Sequence, residues 1–196
     1  MQPRTLRTRR GVRRGLLLAL AVSATVALAL PMPGLAARQD TDPTKWAQGV
    51  CSAIVDWSGA AETRANALGK QMSGGGLPQA RAVLSRFLDQ MVQETDRMIT
   101  RIDVYGTPGV KNGTPIRQRL RTLMAAARAS LAQGRRDAAK LSITDATAFQ
   151  KGAGRISDSV GKQFDALGKG FDALDKDFPS PELDRAVTRA AACSKL

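Results

Sequence analysis

Two cysteines, Cys51 and Cys193, and a complete absence of histidine define what this chain can do chemically. Without an imidazole there is no Ser-His-Asp or Cys-His nucleophile, and the commonest zinc sites are excluded as well. Paired as a disulfide, the two cysteines leave no thiolate. Serine–lysine catalysis is formally possible, for instance through Ser194-Lys195 at a chain end. Carboxylate pairs could hydrolyse a glycoside, but the acids here occupy polar helical positions and are balanced by lysine. Asp172, Asp175 and Asp177 could touch calcium, yet the spacing of an EF-hand loop is missing. The expectation is a non-enzymatic protein without cofactor or metal and with no identifiable small-molecule substrate.

Two surface patterns remain as candidates. Arg117, Arg121, Arg128 and Arg135 fall within a wedge of roughly 40° on one helix. Arginine recognises phosphates and carboxylates, so the stripe could meet anionic cell-wall polymer or lipid headgroups. The more ordinary reading is a solvated flank partly neutralised by Asp89, Glu94 and Asp96 of the preceding helix. The second pattern is aromatic. Trp46 and Trp57 share a face of the first helix, and Phe164, Phe171 and Phe178 recur every seven residues. These are either core or, for Trp46, Trp57, Phe164 and Phe171, the lining of an apolar ligand site.

The elements that position these residues follow an export signal. Residues 1–14 hold six arginines and no acid, and an apolar run from Leu16 to Leu30 precedes Pro31 and Pro33. Such a pattern, closed by Ala36-Ala37, predicts a cleaved secretory signal over 1–37. The run is too short for the roughly 20 apolar residues of a membrane span. Arg13-Arg14 faintly suggests a twin-arginine route, but a Sec-type signal fits better. Removing the segment leaves 24 basic against 17 acidic residues, a net +7. A charge of that size favours acidic partners or solubility in general. Nothing resembles a nucleic-acid recognition motif. In an exported chain, two cysteines are expected to pair. Closing a loop through almost the whole mature chain stabilises by at most roughly 5 kcal/mol on the chain-entropy model.

Residues 38–44 read as a disordered lead and 45–196 as one helical domain. Asp42-Pro43 is nonetheless an N-cap followed by a proline suited to a first helical turn. Trp46, Val50, Ala53, Trp57, Ala61, Leu68 and Met72 form one buried face. Gly74-Gly75-Gly76 ends that helix and lacks the Lys-Ser/Thr of a phosphate loop. A second helix starts near Pro78, with Ala80, Leu84, Phe87, Met91, Thr95, Met98, Ile102 and Tyr105 inward. After a loop from Gly106 to Pro115, a third helix runs to about Leu141 with Ile116, Leu120, Leu123, Ala127, Leu131, Ala138 and Leu141 inward. The fourth, Asp145 to Asp177, repeats in sevens as SDSVGKQ, FDALGKG, FDALDKD. That period predicts a coiled-coil-like seam. Its outer face offers Asp158–Lys162, Asp165–Lys169 and Asp172–Lys176 as i,i+4 pairs. Gly161 and Gly168 predict the close approach of another helix. Ser180-Pro181 opens a short fifth helix with Leu183, Val187 and Ala190 inward and Cys193 near its end. The expected fold is all-α: four long helices and a short terminal one in an up-down antiparallel bundle, with the first and last helices linked by the disulfide.

The segments WAQGVCSAIVDW at Trp46–Trp57, AFQKG at Ala148–Gly152 and AACSKL at Ala191–Leu196 resemble a family of small secreted or lipid-anchored helical proteins of actinobacteria, one without an assigned activity. The resemblance implies a location and an architecture. Many members carry a lipobox cysteine, and this chain has none between residues 31 and 50.

These features suggest an exported binding or structural module of the cell envelope. The alternative is a membrane-surface or lipid-binding protein that uses the basic helix for headgroups. Salt-sensitive binding to wall polymer would favour the first. A continuous apolar cavity beside Trp46 and Phe164 would favour the second.

Overall fold

The computed structural model describes residues 40–72 and 75–196. The expected signal and its cleavage site lie outside them. Among the described residues the protein is all-α, with five helices, no strand, and a 3-10 turn at Cys193–Lys195.

Helix α1 spans Pro43–Met72. Asp42 caps it by accepting from the Lys45 backbone N–H at 2.9 Å, so one donor left unpaired at the helix start is satisfied. The lead expected over 38–44 is ordered from Thr41 onward. Thr41 donates its N–H to the Thr107 carbonyl at 2.8 Å and accepts from the Gly109 N–H at 2.8 Å. Its hydroxyl donates to the Tyr105 carbonyl at 2.6 Å. Three hydrogen bonds to one loop are what order this segment.

Helix α2 spans Leu77–Tyr105, with Pro78 in its first turn. Helix α3 covers Gly113–Ala138 and starts two residues before the expected Pro115. Asn112 supplies the reason: it adopts φ 68°, a left-handed conformation that asparagine tolerates, and turns the chain directly into the helix. Gly113 is required there, because a Cβ would lie 2.1 Å from the Pro108 carbonyl oxygen. α3 ends at Ala138 rather than Leu141, although Leu141 is still buried. Helix α4 is Ala146–Asp177, capped by Asp145, whose side chain accepts from the Ala148 N–H at 2.9 Å. Helix α5 is Pro181–Arg189, capped by the Ser180 hydroxyl.

Consecutive long helices pack on one another, α1 on α2, α2 on α3 and α3 on α4, while α5 returns to α1. The core has two centres. One gathers Trp46, Val50 and Ala53 of α1 with Met98, Ile102, Leu120, Met124 and Leu167. The other gathers Leu84, Leu88 and Met91 of α2 with Leu131, Phe149 and Ile156. Every residue expected to face inward on α3 is buried. The seam of α4 is less enclosed, since Leu167 is buried but Val160, Phe164, Phe171, Leu174 and Phe178 are half-buried.

Three details depart from the sequence expectations. Nothing lies within 4 Å of a Cβ placed at Gly161 or Gly168. The close approach is at Gly170, where a Cβ would meet Leu123 at 2.3 Å, and at Gly152, where it would meet Leu141 at 2.4 Å. None of the three expected Asp–Lys pairs on α4 forms an ion pair. Exposed lysine gains too little from such a pair to be held in one rotamer. Cys193 lies beyond α5, in the terminal 3-10 turn.

Candidate apolar groove

Cys51 and Cys193 are joined, with S–S 2.06 Å and Cα–Cα 5.0 Å across a separation of 142 residues. The neighbouring Ala192 N–H donates to the Gln48 side-chain oxygen at 3.0 Å. The C-terminal turn is therefore fixed to α1 by a covalent bond and a hydrogen bond. Among the described long helices, α1 is the main packing partner of α5. Fastened at its far end and joined to α4 by the short link 178–180, α5 stands as a wall facing the rest of the bundle.

Between that wall, α1, the start of α3 and the end of α4 lies a groove of about 430 Å³. Trp46, Val50 and Ile54 come from α1, Ile116 and Leu120 from α3, Phe171, Leu174 and Phe178 from the end of α4, and Leu183 and Val187 from α5. Its size falls within the roughly 300–1,000 Å³ of small-molecule sites, and apolar side chains with a few polar groups are their usual lining. Val187, expected inward, is 40% exposed. Ala186 and Ala190 are buried in the core, whereas Val187 borders the groove and reaches solvent.

Of the four aromatic candidates, two line this groove and two do not. Trp46 and Phe171 do. The Trp46 ring is fixed because its indole N–H donates to the Gly106 carbonyl at 3.0 Å. Trp57 and Phe164 instead stack on each other, with ring centroids 5.6 Å apart and planes at 21°. The Trp57 indole N–H donates to the buried Thr95 hydroxyl at 3.1 Å. This pair links the two core centres.

The arginine stripe faces α2 and meets acids there. Arg117 and Arg121 share Asp103 at 2.8 and 2.9 Å. Arg128 holds Asp96 through two nitrogens, one of them at 3.1 Å, and Arg135 holds Asp89 at 2.6 Å. The hydrogen bond that Arg128 donates to Asp96 raises the guanidinium pKa above its ordinary value. Four cations thus face three aspartates, and little uncompensated charge remains. On the other side of α2, burial pushes the Glu94 carboxyl up, but hydrogen bonds from Arg64 and Arg97 outweigh it and hold it below its usual range.

The groove's α5 side went unpredicted. Leu174 is legible as a seam position of the sevenfold repeat and Leu183 as an inward residue of the fifth helix, but no pattern in the sequence says that α5 stands off from α4. Asp175 and Asp184 on the rim read as ordinary solvated acids. A second hollow of about 450 Å³ lies between α3 and α4, with Asp137, Lys140, Arg155 and Ser159 among its lining. Its lining is mixed and holds no aromatic ring. The Ser194 hydroxyl donates to the Ala191 carbonyl at 2.9 Å, a local turn contact. Among the described residues no group of three or more His, Cys, Asp or Glu side chains is placed to hold a metal ion. No described helix is long and apolar enough to cross a membrane.

No protein family model, curated protein sequence or solved structure matches this chain.

Proposed function

We propose that this protein is an exported, non-catalytic binding module of the cell envelope, and that its ligand site is the apolar groove between α5 and the body of the bundle. The reading includes an up-down antiparallel order for the long helices, which the packing of consecutive helices through short connectors supports. Kinship with the actinobacterial secreted family belongs to the same proposal. The disulfide is compatible with an extracytoplasmic location.

One observation carries the choice of site: a groove with Trp46, Phe171 and Phe178 in its lining lies open to solvent, where a closed core would have filled it. The stripe of Arg117, Arg121, Arg128 and Arg135 supports a wall-polymer site less well, because α2 already neutralises it.

The test is calorimetry of the oxidised mature protein with an uncharged single-chain amphiphile, dodecyl maltoside, below its micelle concentration. One saturable site is expected, together with a changed Trp46 emission in a Trp57→Phe background. Filling the groove with Val187→Trp should abolish the heat. Absence of saturable binding by the folded protein would overturn the reading. Replacing the four stripe arginines with glutamine should leave this binding unchanged.

A further inference from the structure

We propose that the groove selects a cationic amphiphile, a free single-chain molecule with an apolar tail and an amine or quaternary ammonium head; this rests on the groove being the ligand site. Apart from its apolar residues and a few hydroxyls, the lining holds two charged side chains, Asp175 and Asp184, and no lysine or arginine. Among the described residues neither carboxylate has a hydrogen bond or ion pair, whereas the acids of α2 at Asp89, Glu94, Asp96 and Asp103 are all matched by arginine.

Their positions sharpen the contrast. Asp184 lies in the first turn of α5, where the helix dipole favours an anion. Asp175 lies near the C-terminus of α4, where the dipole disfavours one. Beyond Leu174, whose carbonyl accepts from the Phe178 N–H at 2.9 Å, the last carbonyls of α4 have no partner further along the helix and add partial negative charge at the same end. A cation there would relieve the repulsion. Phe171 and Phe178 line the groove on the same element, and aromatic faces attract ammonium groups. The net positive charge of the mature chain opposes a cation from a distance. At physiological salt, charges beyond roughly 8 Å are largely screened, so the groove's own groups decide.

The test compares three probes with one tail, all below their micelle concentrations: dodecyltrimethylammonium, dodecyl maltoside and dodecyl sulfate. Calorimetry with the disulfide-bonded protein should rank them in that order, the cation binding roughly tenfold tighter than the neutral probe. Both aspartates are exposed, so Asp175→Asn with Asp184→Asn should leave folding unchanged by circular dichroism while removing the cation's advantage over dodecyl maltoside. Equal binding of cation and neutral probe by the wild type would overturn the charge selection and leave the groove reading intact. Failure of both probes would overturn the two together. Tightest binding of dodecyl sulfate, or a dimer in sedimentation equilibrium that either of the other probes dissociates, would also overturn the proposal, the latter by assigning the groove to a second copy of the chain.

Discussion

The two halves of α1 carry the same apolar periodicity but are held very differently. Between Trp46 and Ala53 six residues are buried, against Met98 and Ile102 of α2 and Ala186 and Ala190 at the terminal wall. From Ile54 to Met72 none is, and Trp57, Ala61, Leu68 and Met72 are only half-covered. The second half depends on the Trp57–Phe164 stack and on Arg64, which reaches Gln90 and Glu94. The disulfide is at the end that is already dense. It therefore does not compensate for a weak core. It fastens α5, a nine-residue helix whose main packing partner is α1.

Breaking that fastening should have the largest effect. Changing Cys51 and Cys193 to serine together should cost up to roughly 5 kcal/mol and lower the melting temperature by roughly 10–20 °C, read by calorimetry. Hydrogen exchange should show the loss of protection concentrated in α5, with dodecyl maltoside binding lost as well. Uniform loss across α2 and α3 would mean that the wall is no separate unit.

Core truncations probe the same contrast one step down. Ile102 is 0% exposed, so Ile102→Ala should cost roughly 2–5 kcal/mol in urea unfolding. Leu68→Ala, in the loosely covered half, should cost about 1 kcal/mol. Equal costs would erase the difference between the halves.

Glycines two residues apart on α4 should give opposite signs. Gly170→Ala drives a methyl into Leu123 and should destabilise by about 1–3 kcal/mol. Gly168→Ala meets nothing and should stabilise by up to about 1 kcal/mol through helix propensity.

The smallest effect is electrostatic. A carboxyl whose folded pKa is depressed, as that of Glu94 is, contributes stability that is present above its unfolded value. That stability is lost as pH falls through the folded one. From about pH 4–5 downward, the urea midpoint of the wild type should therefore fall more steeply than that of Glu94→Gln. Parallel acid limbs would dissociate Glu94 from the support of the loose half.

Much of this architecture was legible because it is local. Helix starts at Asp42-Pro43, Asp145 and Ser180-Pro181 are written in residues that satisfy backbone donors, and the inward face of α3 follows from period alone. The arginines' partners were legible in part, since Asp89 and Asp96 lie on the adjacent helix. The failures occurred wherever distance between helices mattered. Gly161 and Gly168 sit beside the seam like Gly170, and only the neighbouring helix distinguishes them. Val187 has the right spacing for burial, but it borders the groove and stays part-exposed.

By itself, the sequence determined that this protein is helical, where most helices begin, which faces are apolar and that two cysteines are available to pair. Those properties depend on hydrogen bonds and side-chain periods within a few residues of one another. Only the tertiary structure decided that α5 stands as a wall, that the buried Trp46 borders a groove while Trp57 stacks on Phe164, and that the stripe is neutralised by α2. These outcomes depend on which surfaces meet and at what separation, a balance of packing among segments far apart in the chain that no local pattern encodes.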